Sequence, residues 1–176
     1  MIMLLYIFIG FLLLFVILVS IAPKSFHVER SIVVKKPLKE TFDFLKYTKN
    51  QDHWSPWKKK DPNMKQSFVG TDGEVGFISR WEGNKEVGTG EQEIIRIVEN
   101  DTVENKLRFF KPWKSESTGY LSVEPITENE TRVLWGFKGE SKPPTNVFFL
   151  FFNMDKSVGK DFEEGLNDLK KYLESK

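Results

Sequence analysis

The sequence VFFLFFNMDKSVGKDFEEGLNDLKKYL, residues 147–173, determines the fold that we predict for the whole chain. It opens with six consecutive apolar residues behind Pro143 and Pro144, so Thr145 or Asn146 is predicted to cap a helix there. Apolar residues then recur at spacings of three and four, the pattern of an amphipathic helix. This apolar stripe consists of Val158, Phe162, Leu166, Leu169 and Leu173. A continuous helix of roughly 28 residues would reach about 42 Å, and it needs a broad apolar partner to cover its stripe.

A series of short alternating segments, separated by turn signals, supplies that partner. The first strand is predicted at His27–Val34, and Pro37 then begins a short helix in which Phe42 and Leu45 share a face. The later strands are predicted at residues 65–69, 76–82, 87–98, 103–110, 115–123 and 131–138. No helix separates these strands, which is typical of an antiparallel meander. We therefore predict an α+β fold, with a curved antiparallel sheet of about six to seven strands wrapped on the long C-terminal helix.

The N-terminal residues 1–22 contain no charged side chain and are long enough to cross a bilayer. We predict a single transmembrane helix there, a short tether at residues 23–26 and one domain at residues 27–176. A cleaved signal peptide is the alternative, but no Lys or Arg precedes the apolar residues, and Pro23 follows the candidate cleavage site. Positive charges lie only after the span, which predicts a protein of the cell membrane with its domain in the cytoplasm.

The overall charge and the absence of cysteine restrict the function. The formal net charge is +1, which argues against nucleic acid as a partner because phosphate binding needs a basic face. Without cysteine, disulfides, thiolate catalysis and sulfur metal sites are excluded. The chain has 16 Phe and five Trp, which indicates either a bulky aromatic core or an apolar cavity.

Several short blocks in the soluble part also carry a family resemblance. They are VERSIVV at 28–34, WSPW at 54–57, DPNM at 61–64, GEVG at 73–76, WEGN at 81–84, GTGEQ at 88–92 and FEEGL at 162–166. On these blocks, residues 27–174 resemble the SRPBCC superfamily, the START-like helix-grip group, and in particular its polyketide cyclase/dehydrase-like branch. An N-terminal membrane anchor is an addition to that pattern. The resemblance implies a cavity between the sheet and the C-terminal helix for lipids, sterols, polyketides or other apolar molecules.

Strand alternation and the aromatic loops define the candidate ligand-binding residues, which should face the long helix or border the cavity. They are Trp54, Trp57, Phe77, Ser79, Trp81, Glu91, Leu107, Phe109, Leu121, Trp135, Phe148 and Phe152. A closed aromatic core is the alternative for the strand residues. Trp54, Trp57 and Trp113, with nearby lysines, are either local packing anchors or a cavity rim that contacts lipid.

The strand at residues 87–98 leaves two alternatives open. If Ile95 and Ile97 point inward, strict alternation also turns Glu91 and Glu93 inward. Either a β-bulge near Glu93 and Ile94 changes the phase, or a carboxylate faces the cavity and needs a partner such as Arg108.

Residue types for catalysis are sparse. His27 and His53 are the only histidines, so we predict no metal site, no Ser-His-Asp arrangement and no cofactor. The first hypothesis is a membrane-anchored module that binds a hydrophobic small molecule or lipid. An enzyme using Glu91, Ser79 or Tyr120 is the second, and a protein-interaction domain like the chaperone activators is the third.

Overall fold

The computed structural model describes residues 2–176, which form an α+β fold. Its α-helices are α1 (Ile2–Ile21), α2 (Leu38–Lys46), α3 (Pro56–Lys60) and α4 (Met154–Glu174), and 3-10 helices span Thr48–His53 and Thr145–Leu150. Its strands are β1 (Ser25–Val34), β2 (Lys65–Val69), β3 (Ile78–Glu82), β4 (Thr89–Val98), β5 (Thr102–Lys111), β6 (Ser115–Thr127) and β7 (Glu130–Glu140). The predicted fold class is confirmed.

The strands form one antiparallel sheet in the order β1-β7-β6-β5-β4-β3-β2. In the register, Ser25 lies opposite Glu140, and Ser115 lies opposite Phe109. The start of β1, the end of β7, the start of β6 and the end of β5 therefore share one end of the sheet. We call this the α1 end, because α1 leads directly into β1.

Residues 147–173 do not form one continuous helix, because a break at Phe151–Asn153 separates two helices. The Thr145–Leu150 3-10 helix comes first, and α4 begins only at Met154. Asn153 caps α4, since its side chain accepts a hydrogen bond from the backbone N–H of Lys156 at 2.9 Å. The predicted caps, Thr145 and Asn146, have other partners: the Thr145 hydroxyl donates to the carbonyl of Lys142, and Asn146 contacts α1.

The apolar stripe of α4 faces the sheet as predicted. Phe162, Leu166, Leu169 and Leu173 are buried, and they pack with residues of β1, β7 and α2. Away from the α1 end, this packing forms a solid core around Leu166 and Leu169.

Arg30 ties α4 to β1. Its Nη1 donates to Asp155 at 2.8 Å and its Nε donates to Glu163 at 2.7 Å. These hydrogen bonds, that to Asp155 first, hold the pKa of Arg30 above its ordinary value. Gly159 makes room for the guanidinium, since a Cβ there would lie 2.2 Å from Arg30 Nη2.

The helix α1 is the one helix of residues 2–176 that is long and apolar enough to cross a membrane. Its side chains are exposed over most of its length, except near its C-terminal end, where Leu18 and Val19 are half-buried. There α1 packs against the Thr145–Leu150 helix.

Candidate functional site

A cavity of about 260 Å³ separates part of the sheet from α4. Side chains of β3, β4, β5, β6 and β7 form one wall, and α3 and the first turns of α4 form the other. The predicted residues in this lining are Trp57, Ser79, Trp81, Leu107, Phe109, Leu121 and Trp135. Strand alternation predicted six of these residues, because inward-facing residues of adjacent strands lie on the same face, and Trp57 was predicted from its aromatic loop.

The apolar wall is built from aromatic rings that contact one another at Trp135. The Trp135 ring stacks on Phe162 with centroids 4.1 Å apart, and Trp54 and Trp57 meet it edge-on at 4.8 and 5.4 Å. On the sheet, Trp81 and Phe109 form a further edge-on pair at 5.8 Å. Such tilted and stacked pairs stabilise beyond their buried area, so they give the wall a defined shape.

Polar side chains also border the cavity, and three of them lie on adjacent strands of the sheet. They are Ser79, Gln92 and Asn105, from β3, β4 and β5. Asn105 is only 5% exposed, and its Oδ1 has no hydrogen-bond partner among residues 2–176. A buried amide without a partner is unfavourable, so the Asn105 carboxamide retains capacity to bind a polar group of a ligand.

The rim of the cavity is polar where the Thr48–His53 helix and α3 approach β2. Lys58 Nζ donates to Gln66 at 3.1 Å, and Gln66 Nε2 donates to Asp52 at 2.9 Å. The Thr48–His53 helix and α3 together form one border of the opening.

Five predicted residues lie outside this lining. Trp54 and Phe77 are buried in the hydrophobic core, and Trp54 packs behind Trp135. Phe148 and Phe152 precede α4 in the sequence. The break at Asn153 separates them from the helix that faces the sheet. The fifth, Glu91, lies on the outer face of the sheet.

The position of Glu91 decides between the two alternatives for β4. The register shifts between Ile94 and Arg96, so a bulge lies one residue beyond the predicted place. Gln92 and Ile94 therefore point inward, and Ile95 is exposed, contrary to the inward orientation expected for it.

Glu91 is held on the outer face by two arginines. Its carboxylate accepts hydrogen bonds from Arg80 and Arg108, each at 2.9 Å. These bonds, that from Arg80 first, hold the pKa of Glu91 below its ordinary value despite its partial burial. The side chain is consequently an ion-paired carboxylate rather than an acid facing the cavity.

Tyr120, the third residue considered for chemistry, also turns its side chain outward. Its ring covers Gly136, its hydroxyl donates to Glu29, and His27 Nε2 lies 2.7 Å from the hydroxyl oxygen. Burial, followed by the bond to Glu29, raises the pKa of Tyr120 above its ordinary value. Of the three candidates for chemistry, Ser79 and Tyr120 border the cavity, but the Tyr120 hydroxyl is bound to Glu29 and His27. Within residues 2–176, no group of three His, Asp or Glu side chains could hold a metal ion.

Sequence reasoning missed the polar cavity residues Gln92 and Asn105. The bulge hid Gln92 by changing the phase of β4. Asn105 could have been found, because it lies on the same face of β5 as Val103 and Leu107. A single Asn among apolar residues was instead easy to mistake for a solvent-facing residue.

Solved structures with a similar fold were found, although the sequence itself has no match. No family model and no curated protein matches the sequence. Truncated norcoclaurine synthase from Thalictrum flavum is similar in structure, with a TM-score of 0.68, 10% identity, and coverage of 87% of this chain and 96% of that chain. The same enzyme in complex with dopamine and hydroxybenzaldehyde gives a TM-score of 0.64, 9% identity, and coverage of 90% and 92%.

A third similar structure is the Aha1 dimer from Colwellia psychrerythraea. The match has a TM-score of 0.52 and 14% identity, and it covers 82% of this chain and 96% of the Aha1 chain. At these identities the likeness concerns the fold alone. The chain therefore has the helix-grip fold that was predicted from the sequence.

Proposed function

We propose that this protein is a membrane-anchored module that binds a small amphipathic molecule between its sheet and α4. The observation that carries the proposal is an aromatic cavity of about 260 Å³ whose buried Asn105 carboxamide keeps an unpartnered atom within the described chain. Ligand pockets are mostly apolar with a few polar groups that orient the ligand, which is the arrangement here.

The residues that line the cavity indicate the chemical character of the proposed ligand. Its body is apolar, since aromatic rings and Leu107 and Leu121 surround most of the space. Its polar end is a hydroxyl-type group, because a hydroxyl both donates and accepts and so suits either orientation of the Asn105 amide. The fold itself accommodates such molecules, as the norcoclaurine synthase complex with dopamine and hydroxybenzaldehyde illustrates.

The helix α1 supports the membrane part of the proposal. Its 20 residues match the thickness of a bilayer, and Lys24 and Arg30 follow it closely. The proposed arrangement is a single-pass protein of the cell membrane with the folded domain on the cytoplasmic side. The domain would then sample molecules that dissolve in the bilayer.

Native mass spectrometry of the full chain in lipid nanodiscs tests the binding. After incubation with a membrane extract, we expect the protein to retain molecules with an apolar body and a hydroxyl group. The variant Leu107→Trp should lose them, because the larger ring fills the cavity. Lys106→Trp is the matched control, since it adds the same ring one position away on the opposite face of β5.

Two results would contradict the binding function. One is a protein that retains no small molecule from any extract, and the other is equal retention by both tryptophan variants. A further variant, Asn105→Leu, should keep purely apolar molecules and lose the preference for hydroxylated ones.

A further inference from the structure

An exposed aromatic surface remains at the α1 end of the molecule. We define the aromatic segment as residues 147–152, which include the end of the Thr145–Leu150 helix. Phe151 is 80% exposed and Phe148 is 55% exposed, and Leu150 between them is also exposed. Within the folded domain, such a group of adjacent large apolar side chains in water is unfavourable, so it marks an interaction surface.

A buried asparagine fixes this segment to the end of α1. Asn146 is completely buried, and its Nδ2 donates to the carbonyls of Val19 and Ala22 at 2.8 and 3.1 Å. The last carbonyls of a helix lack partners within that helix, so Asn146 satisfies groups that α1 cannot satisfy itself. The aromatic segment is therefore held beside the last turn of α1.

We infer that the aromatic segment is a second membrane contact, which inserts into the interface of the bilayer that α1 spans. The inference rests on the proposed function, since it takes α1 as the span. If α1 crosses the bilayer, its last turn lies at the boundary between hydrocarbon and headgroups. The segment beside that turn then places Phe148 and Phe151 at the same depth.

The charges around the segment fit a lipid surface. Lys24 follows the end of α1, Lys142 precedes the segment, and the two stretches are joined by the hydrogen bond from Ser141 N to Lys24 O at 2.9 Å. Exposed lysines beside inserted aromatic rings are suited to anionic headgroups. The β5–β6 turn at the same end of the sheet adds Trp113, which is 76% exposed between Lys111 and Lys114.

A series of ring contacts connects the aromatic segment with the cavity. Phe149 contacts Phe26 at 5.5 Å between centroids, Phe26 contacts Phe137 at 5.0 Å, and Phe137 contacts Phe109 at 6.4 Å. Phe137 and Phe109 line the cavity. Insertion of the segment would therefore place one apolar wall of the cavity next to the bilayer. A lipid-soluble ligand would then enter the cavity from the bilayer.

Site-specific labelling tests the inference, and the chain is suited to it because it contains no cysteine. The full chain with Phe151→Cys carries an environment-sensitive fluorophore in vesicles of phosphatidylcholine and phosphatidylglycerol. Spin-labelled lipid should then quench that fluorophore. Phe148→Cys is the second position, and both side chains are exposed, so the substitutions leave the core unchanged.

Two control positions distinguish insertion of the aromatic segment from insertion of α1 alone. Leu13→Cys reports on the middle of α1, and Glu128→Cys reports on the β6–β7 turn at the opposite end of the sheet. We expect loss of fluorescence at positions 13, 148 and 151 and none at 128. Quenching at 13 without quenching at 148 and 151 overturns the inference and leaves the anchor in place, whereas no quenching at 13 overturns the anchor. Self-quenching at 151 that disappears on dilution with lipid would assign the surface to a second copy and also overturn the inference.

Discussion

Gly165 lies where α4 passes closest to the aromatic wall of the cavity. A Cβ at this position would be 2.7 Å from Cζ3 of Trp135 and 3.0 Å from Cδ of Pro56. Gly165→Ala should therefore lower the free energy of unfolding by about 1–3 kcal/mol, the usual effect of overpacking. Denaturant unfolding of the full chain in detergent measures it.

The exposed helical residue Lys160 provides the control for this substitution. Lys160→Ala, on the same helix, should change the stability by no more than about 0.5 kcal/mol. Equal losses in the two variants would contradict the close packing of α4 on Trp135.

Glu91 gives a prediction about pH. Its folded pKa lies below the ordinary value of 4.5, because Arg80 and then Arg108 bind the carboxylate. The stabilisation by this carboxylate is therefore complete above pH 4.5 and is lost as the pH falls through the folded pKa. We expect Glu91→Gln to be less stable than the natural chain at neutral pH and to lose less stability below pH 4.5.

Acid titration of thermal unfolding checks this difference. Parallel pH profiles for Glu91→Gln and the natural chain would contradict the ion pairing on the outer face.

At the scale of elements, the start of α4 distinguishes the structure from the sequence pattern. Asn153 caps the helix, whereas Thr145 or Asn146 was predicted to do so. Asn153→Ala should cost about 0.5–2 kcal/mol of stability, the usual loss for a removed cap. Thr145→Ala should cost less, because its exposed hydroxyl only supports the local turn at Lys142. A larger loss for Thr145→Ala in thermal unfolding would favour one continuous helix.

At the scale of the whole molecule, Asn146 sets how the domain is held relative to α1. Asn146→Ala removes both hydrogen bonds to the last turn of α1, so the connection through Lys24 should open more often. We expect trypsin to cleave after Lys24 faster in this variant than in the natural chain. Asn129→Ala, in the β6–β7 turn far from α1, is the control and should leave the cleavage rate unchanged.

The sequence alone determined the fold class and the strands, and seven of the twelve predicted ligand-binding residues lie in the cavity lining. The reason is that burial on one face imposes a period of two on a strand and of 3.6 on a helix, so alternation in β3, β5 and β7 reports the inward face directly. It also identified residues 1–22 as a candidate span, because length and lack of charge are properties of the chain itself.

Only the tertiary structure decided where those periods are interrupted. The bulge beside Ile95 changes the phase of β4, and it depends on pairing with β5, which the local sequence does not specify. The cap at Asn153 is a local bond to Lys156, but Thr145 and Asn146 were equally good cap candidates in the sequence, and the folded chain uses Asn153. The same holds for Asn105 and Asn146. Asn105 is a polar residue on an apolar strand face, and Asn146 precedes the apolar residues 147–152. The role of each follows from what long-range folding places beside it, a cavity for Asn105 and the end of α1 for Asn146.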